Sequence, residues 1–228
     1  MYALYYWPGL PGRGEFVRLV LEQAGMDYQD VGIEQGIEPI VALRQTTGGF
    51  APPYLQDEDQ VLAQVPAICM YLGRKHELVP EKAFAQAKVH QLFLTVMDVV
   101  NEVHDTHHPI SVALAYEDQK EAAVERAANF LNGRLENWMQ FFSKVINSNE
   151  FLDPVGVSIA DLALFQLFSG LHYAFPKACK KSIDDVLVSH YQRVAELPNI
   201  AAYLKSNRRQ SFNETGIFRH YPELDLQD

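Results

Sequence analysis

Apolar and polar positions follow one another in two different textures along this 228-residue chain, and the change falls near residue 80. Residues 2–7 are almost wholly apolar and aromatic, which predicts a short strand stopped by Pro8-Gly9-Leu10-Pro11-Gly12. Phe16, Leu19, Val20 and Ala24 then recur at helical spacing, and Gly25 closes that helix. Tyr28 to Ile33 predicts a second strand, and residues 38–44 a short helix ahead of the breaker run Thr46-Thr-Gly-Gly. Tyr54-Leu55-Gln56 and Val61-Leu62-Ala63 flank the polar stretch 57–60 as the arms of a hairpin. Pro66 suits the first turn of a helix that carries Ala67, Ile68, Tyr71 and Leu72. The order is β-α-β-α-β-β-α, a small α/β domain over residues 1–77.

After Leu78-Val-Pro-Glu the strand signals vanish. Long 3.6-residue periodicities cover 84–108 and 117–147, and further helices are expected at 158–173, 183–196 and 199–206. Pro109, Pro154, Pro176 and Pro198 punctuate them, and an all-α domain over 84–228 results. Trp138, Phe141 and Phe142 stand at helical spacing and are assigned to its core. Ser158 with Asp161 three residues on forms a capping box, which opens a helix rather than performing chemistry.

Composition narrows the function classes. Nineteen basic against 29 acidic residues leave a net charge of −10, which repels phosphate backbones, so no nucleic-acid partner is expected. The basic clusters, Lys177 to Lys181 and Arg208-Arg209, are short and read as solvated helix ends. Two cysteines, Cys69 and Cys179, form no CxxC pair and no zinc spacing, which suits a reducing cytosol. Met1 runs straight into Tyr2-Ala-Leu-Tyr-Tyr-Trp without a basic stretch or cleavage site, so no leader is expected. The run Ile159 to Phe168 contains Asp161 and is too short to span a bilayer. A soluble cytoplasmic protein with no membrane partner is the expectation.

Three groups of residues carry a family resemblance. Tyr6-Trp7 is followed by Gly12-Arg13, Glu15 and Arg18; Ala51-Pro-Pro-Tyr-Leu precedes Ala63-Gln64-Val65-Pro66-Ala67-Ile68 and Tyr71-Leu72; and Gly156-Val-Ser158-Ile-Ala160-Asp161 lies in the second half. In this order and at these separations they resemble the cytosolic glutathione transferases of the tyrosine type (sigma-, pi- and mu-like) over nearly the whole chain. The resemblance implies a thioredoxin-like first domain, an all-helical second one and a homodimer, with Phe50 in a Gly-rich loop as an interface contact. It implies glutathione as co-substrate, no tightly bound cofactor, no metal, and a small hydrophobic electrophile as the second substrate.

The resemblance also assigns roles that the chemistry of each residue supports. A thiol of pKa about 8.5 is mostly protonated at neutral pH, so a phenol donating to sulfur stabilises the thiolate that attacks. Tyr6, with Trp7 after it, is the candidate donor. Alternation puts Tyr2 and Tyr6 on one strand face and Tyr5 on the other, and Tyr5 remains the alternative. Gln64 and the backbone of Val65 open a helix whose unpaired amides and dipole favour the γ-glutamyl carboxylate. Arg44 falls where the glycyl carboxylate is met. Pro52-Pro53 falls at the family's cis proline, with either proline open as the cis residue; a cis bond at Pro53 leaves Pro52 before it, without an N–H to give the cysteinyl backbone.

This chain departs from the family pattern in one extra residue between Tyr6 and Arg18, and in Val65 where a hydroxyl residue is usual. His104, His107 and His108, with Asp105, end a predicted helix; a metal site is the lesser reading, and His104 and His108 are expected to line the electrophile pocket with Trp7. A non-catalytic protein of the same fold, or a glutathione-dependent isomerase or peroxidase, is the alternative function.

Overall fold

A computed structural model describes residues 1–148 and 156–227. The first part holds β1 (Tyr2–Tyr5), α1 (Gly14–Gln23), β2 (Tyr28–Asp30), α2 (Val31–Gln35), α3 (Glu38–Thr46), β3 (Tyr54–Asp57), β4 (Gln60–Ala63) and α4 (Val65–Lys75). The sheet order is β2-β1-β3-β4, with β1 parallel to β2 and antiparallel to β3, and β3-β4 a hairpin. This is the thioredoxin-like arrangement. Tyr2, Leu4 and Leu55 join Phe16, Leu19, Val20, Ile68 and Leu72 of α1 and α4 in one buried core, so the sheet and its helices fold as a unit.

The strand expected over 28–33 ends at Asp30, and Val31 begins a helix instead. Asp30 accepts a hydrogen bond from Arg18 Nε at 2.6 Å, which fixes the chain at that point. Two residues on, a β-carbon at Gly32 would overlap the Tyr6 carbonyl oxygen, so the backbone turns there at a distance only glycine tolerates. A short apolar run such as Val31-Gly-Ile fits either element by periodicity alone.

The second part is helical: α5 (Ala83–Asp105), α6 (Lys120–Asn129), α7 (Leu135–Ser148), α8 (Ile159–Ala174), α9 (Pro176–Ser182), α10 (Asp185–Ala195) and α11 (Pro198–Leu204), followed by an irregular strap to residue 227. The expected continuous helix over 117–147 is broken at Asn132 and Gly133, the latter at φ 91°, which favours glycine. Pro176 starts a helix that periodicity did not indicate, and Pro154 lies outside the described residues. Of the three aromatics assigned to the core only Phe142 is fully buried. Phe141 is 37% exposed, and the half-buried Trp138 donates its Nε1–H to Glu102. Among the described residues no helix is long and apolar enough to cross a membrane.

Helix α8 is the buried axle, packed against α1, α5 and α10. Its capping box forms as expected: Ser158 Oγ accepts from the Asp161 N–H, and Asp161 Oδ2 accepts from the Ser158 N–H at 2.9 Å. Burial alone would raise the Asp161 carboxyl. Hydrogen bonds from His190 and Ser158 outweigh that and hold it below the usual range. Arg208 is exposed as expected, whereas Arg209 is largely buried. They pair with Glu22 and Glu15 of α1 and tie the strap to the first part of the chain.

Candidate active site

Strand register builds the site. Tyr5 pairs with Tyr54 across β1-β3, and Tyr54 pairs with Ala63 across β3-β4. The next residues, Tyr6, Pro53 and Gln64, therefore stand in a row at one end of the sheet. The bond between Pro52 and Pro53 is cis, which places Pro52 before it and leaves that residue only its carbonyl to offer.

Tyr6 follows β1 and is 4% exposed. Alternation is as expected: Tyr5 faces the other side, where its hydroxyl donates to Gln56 Oε1 at 2.9 Å. The Tyr6 hydroxyl oxygen accepts the Arg13 backbone N–H at 2.7 Å, which leaves its own proton to give. Burial raises the Tyr6 pKa above its ordinary value, against the opposing pull of the Arg13 N–H and of the Arg13 and Arg18 charges. The group is a neutral phenol at physiological pH, a donor rather than a base. Glycines shape this niche: a β-carbon at Gly12 or Gly14 would overlap the Tyr6 side chain. The extra residue in the Pro8–Gly12 loop thus does not carry Arg13 away from the phenol.

The anion end is built by α4. Gln64 precedes it at φ 72° and ψ 118° and is exposed, and Pro66 occupies the first turn, where its missing N–H costs no helical bond. The start of a helix leaves amides without carbonyl partners. Val65 is 3% exposed and packs into the core, so this position contributes its backbone alone. Arg44 lies in the last turn of α3, exposed, with its guanidinium 5.7 Å from the centre of the Phe50 ring. Trp7 is half-buried beyond the end of β1.

Opposite the sheet end stands the last turn of α5. Arg13 Nη2 donates to Asn101 Oδ1 at 2.6 Å, and His104 lies three residues further along the same helix. His107 donates from Nε2 to the Ile217 carbonyl at 2.7 Å, which leaves Nδ1 to accept from His108 Nδ1–H at 2.5 Å. Burial pushes His107 down to about 3 and also lowers His104 and His108. The three rings are neutral at pH 7. No group of histidines, cysteines and carboxylates among the described residues has the geometry of a metal site. The strap closes the rim, where Asn213 Nδ2 donates to the Gly9 carbonyl at 2.7 Å. Asn101 and Asn213 lie far from Tyr6 in sequence and in no motif, and only the folded chain shows them beside the site.

A thioredoxin-like sheet feeding an all-helical unit defines the glutathione-transferase class of fold. Residues 104–207 match the family model for the glutathione S-transferase C-terminal domain. The chain is 26% identical over 222 residues to a glutathione S-transferase of Plasmodium falciparum (isolate 3D7), covering 92% of this chain and 97% of that one. It is 28% identical over 213 residues to glutathione S-transferase P 1 of Xenopus laevis, covering 91% and 93%. The solved pi-class glutathione S-transferase of Onchocerca volvulus superposes with a TM-score of 0.72 at 21% identity, covering 90% of this chain and 92% of that one. The chain is thus similar to glutathione S-transferases over about nine-tenths of its length and shares their fold.

Proposed function

We propose that the protein conjugates the thiolate of glutathione to small apolar electrophiles, with residues 1–77 as the glutathione-binding domain and 84–228 as the helical domain. The observation that carries this reading is the Tyr6 hydroxyl: neutral, buried, with a lone pair engaged by the Arg13 N–H and its own proton left to donate. The γ-glutamyl carboxylate sits at the start of α4 with Gln64. The cysteinyl backbone meets the Pro52 carbonyl, and the glycyl carboxylate lies toward Arg44. Tyr6 then donates to sulfur, and the thiolate attacks an electrophile held near Trp7, His104 and His108. No metal and no covalent enzyme intermediate takes part.

Glutathione titrated into the protein by calorimetry tests the site. Gln64→Ala is expected to weaken binding roughly ten- to hundredfold, the worth of one hydrogen bond to a charged group, with the melting temperature unchanged. Absence of binding by the wild-type protein at millimolar glutathione would overturn the reading. The non-catalytic alternative, which the missing Pro52 N–H favours, would then stand.

We also propose a homodimer in the cytoplasm. Phe50 is 83% exposed in its loop, and a cleft of about 560 Å³ lined by Ala67, Met70, Tyr71, Arg74 and His90 opens between α4 and α5. An exposed phenylalanine and an open, mostly apolar cleft on one chain suit a two-fold pairing in which each copy's Phe50 enters the other's cleft. Burying that ring contributes about 2–3 kcal/mol per contact. Phe50→Ala is accordingly expected to shift the dimer toward monomer in sedimentation runs at micromolar protein. A wild-type protein that sediments as a monomer throughout would overturn the pairing.

A further inference from the structure

The Tyr6 hydroxyl is only as well aimed as the amide that holds it. That amide belongs to Arg13, whose N–H reaches the phenol oxygen at 2.7 Å, with the Gly14 N–H as a lesser contributor. The segment that carries them has little local reason to keep its orientation. Arg13 precedes α1 without a side-chain cap, so the helix start is not fixed from within. Gly12 before it stands at φ 45°, and without a β-carbon its peptide bond to Arg13 turns at low cost. Packing of Gly12 and Gly14 against the Tyr6 ring sets how close the segment lies, and not which way its N–H points.

The far end of the Arg13 side chain supplies what is missing. Its Nη2 donates to Asn101 Oδ1 on α5 at 2.6 Å, a bond that spans 88 residues of sequence. Arg13 is half-buried, and no carboxylate among the described residues pairs with its guanidinium; Asp105, one turn beyond Asn101, leans on His104 at 3.7 Å instead. Asn101 is exposed on α5, where asparagine is a poorer helix former than alanine or glutamine. The stability of α5 does not ask for an amide at this position, whereas the Arg13 guanidinium uses one. Helix α5 thereby reaches the start of α1 and fixes the residue whose N–H meets the phenol.

We propose that Asn101 is a positioning residue for thiolate formation: by holding the Arg13 side chain it keeps the Arg13 N–H on the Tyr6 oxygen, and so directs the phenol proton to sulfur as the thiol proton leaves to water. This rests on the reading of Tyr6 above and adds the residue that sets its aim. A hydroxyl whose oxygen accepts a hydrogen bond is polarised into a stronger donor, and its torsion is fixed. Without the tether the N–H spends part of its time turned away, and the thiolate loses a share of its hydrogen bond rather than all of it. The effect is therefore smaller than that of removing the hydroxyl.

The test titrates the thiolate absorbance of glutathione bound to the wild-type protein, to Asn101→Ala, Asn101→Gln and Tyr6→Phe, and to the double variant Asn101→Ala with Tyr6→Phe. Asn101→Ala is expected to raise the thiol pKa by about half a unit to one unit, which leaves roughly three- to tenfold less thiolate near neutral pH. Glutathione affinity should hold, and the melting temperature should stay level or rise, since alanine favours an exposed helix. Asn101→Gln offers the same amide and is expected to restore most of the thiolate. In the Tyr6→Phe background Asn101→Ala should change the thiolate fraction by less than about twofold, because the hydroxyl it serves is gone. An unmoved thiol pKa in Asn101→Ala overturns this proposal and leaves the Tyr6 reading in place, as does a shift of equal size with and without the Tyr6 hydroxyl. A Tyr6→Phe variant with an unmoved thiol pKa overturns the Tyr6 reading, and the proposal with it.

Discussion

Tyr6→Phe is expected to raise the pKa of enzyme-bound glutathione by about one to two units and to lower turnover near neutral pH by roughly ten- to hundredfold. The substitution removes one hydrogen bond to a charged sulfur and keeps the ring that Gly12 and Gly14 enclose. Glutathione affinity and melting temperature should therefore change little. The sign with pH follows from the lost bond. It favoured the thiolate, so its loss hurts most where the thiol would otherwise be protonated, and the deficit shrinks as pH rises past the thiol's own pKa. Burial holds the wild-type phenol above its ordinary pKa, so the wild-type profile should show no phenolate limb near neutrality. Tyr5→Phe is the control, because that hydroxyl is spent on Gln56 across the sheet. A thiolate absorbance near 240 nm titrated in each variant with glutathione bound reads these pKa values directly. A loss carried by Tyr5→Phe would move the assignment by one residue, and a loss carried by neither would pass the role to Arg13.

What the sequence makes legible here is local. Ser158 and Asp161 are three residues apart and satisfy each other within one turn, so the start of α8 can be read without the rest of the chain. The Tyr6-versus-Tyr5 face follows from strand alternation, and the hairpin from a polar tetrad between the triplets Tyr54-Leu55-Gln56 and Val61-Leu62-Ala63. Where two local choices are nearly equal, a distant contact decides. Val31-Gly-Ile becomes a helix because Gly32 must pass over the Tyr6 carbonyl and Asp30 must meet Arg18. Which bond of Pro52-Pro53 is cis is likewise invisible in a proline pair, yet it decides whether the residue before that bond has an N–H to offer. Val65 reads as a lost hydroxyl in the motif, whereas in the fold its methyl groups fill the core beside Ile68. The far side of the candidate site is least legible. Arg13, Asn101, His107 and Ile217 come from three separate segments, and only packing brings them together.

The same distance in sequence hides the strongest structural linkage, which joins α1 to the strap. Glu15 is fully buried and holds three partners: Arg18 at 3.3 Å, the Tyr203 hydroxyl at 2.7 Å, and the Arg209 guanidinium, which also donates to Gln166. Arg18 passes the charge on to Asp30. Two carboxylates and two guanidinium groups thus lie buried together, so removing one member leaves a charge unpaired in a medium that solvates it poorly. Glu15→Gln is expected to cost about 3–5 kcal/mol of stability, and a fall in melting temperature of roughly 6–20 °C follows for a chain of this length. Denaturant unfolding at fixed protein concentration measures it, and a loss under about 1 kcal/mol would mean that water already screens the cluster. The double variant Glu15→Gln with Arg209→Met separates pairing from packing. If Arg209 is stable only because Glu15 neutralises it, the second substitution should recover part of the first loss, giving a coupling of about 1–3 kcal/mol. Simple additivity of the two losses would instead show that each residue holds the strap on its own, by the area that its side chain fills.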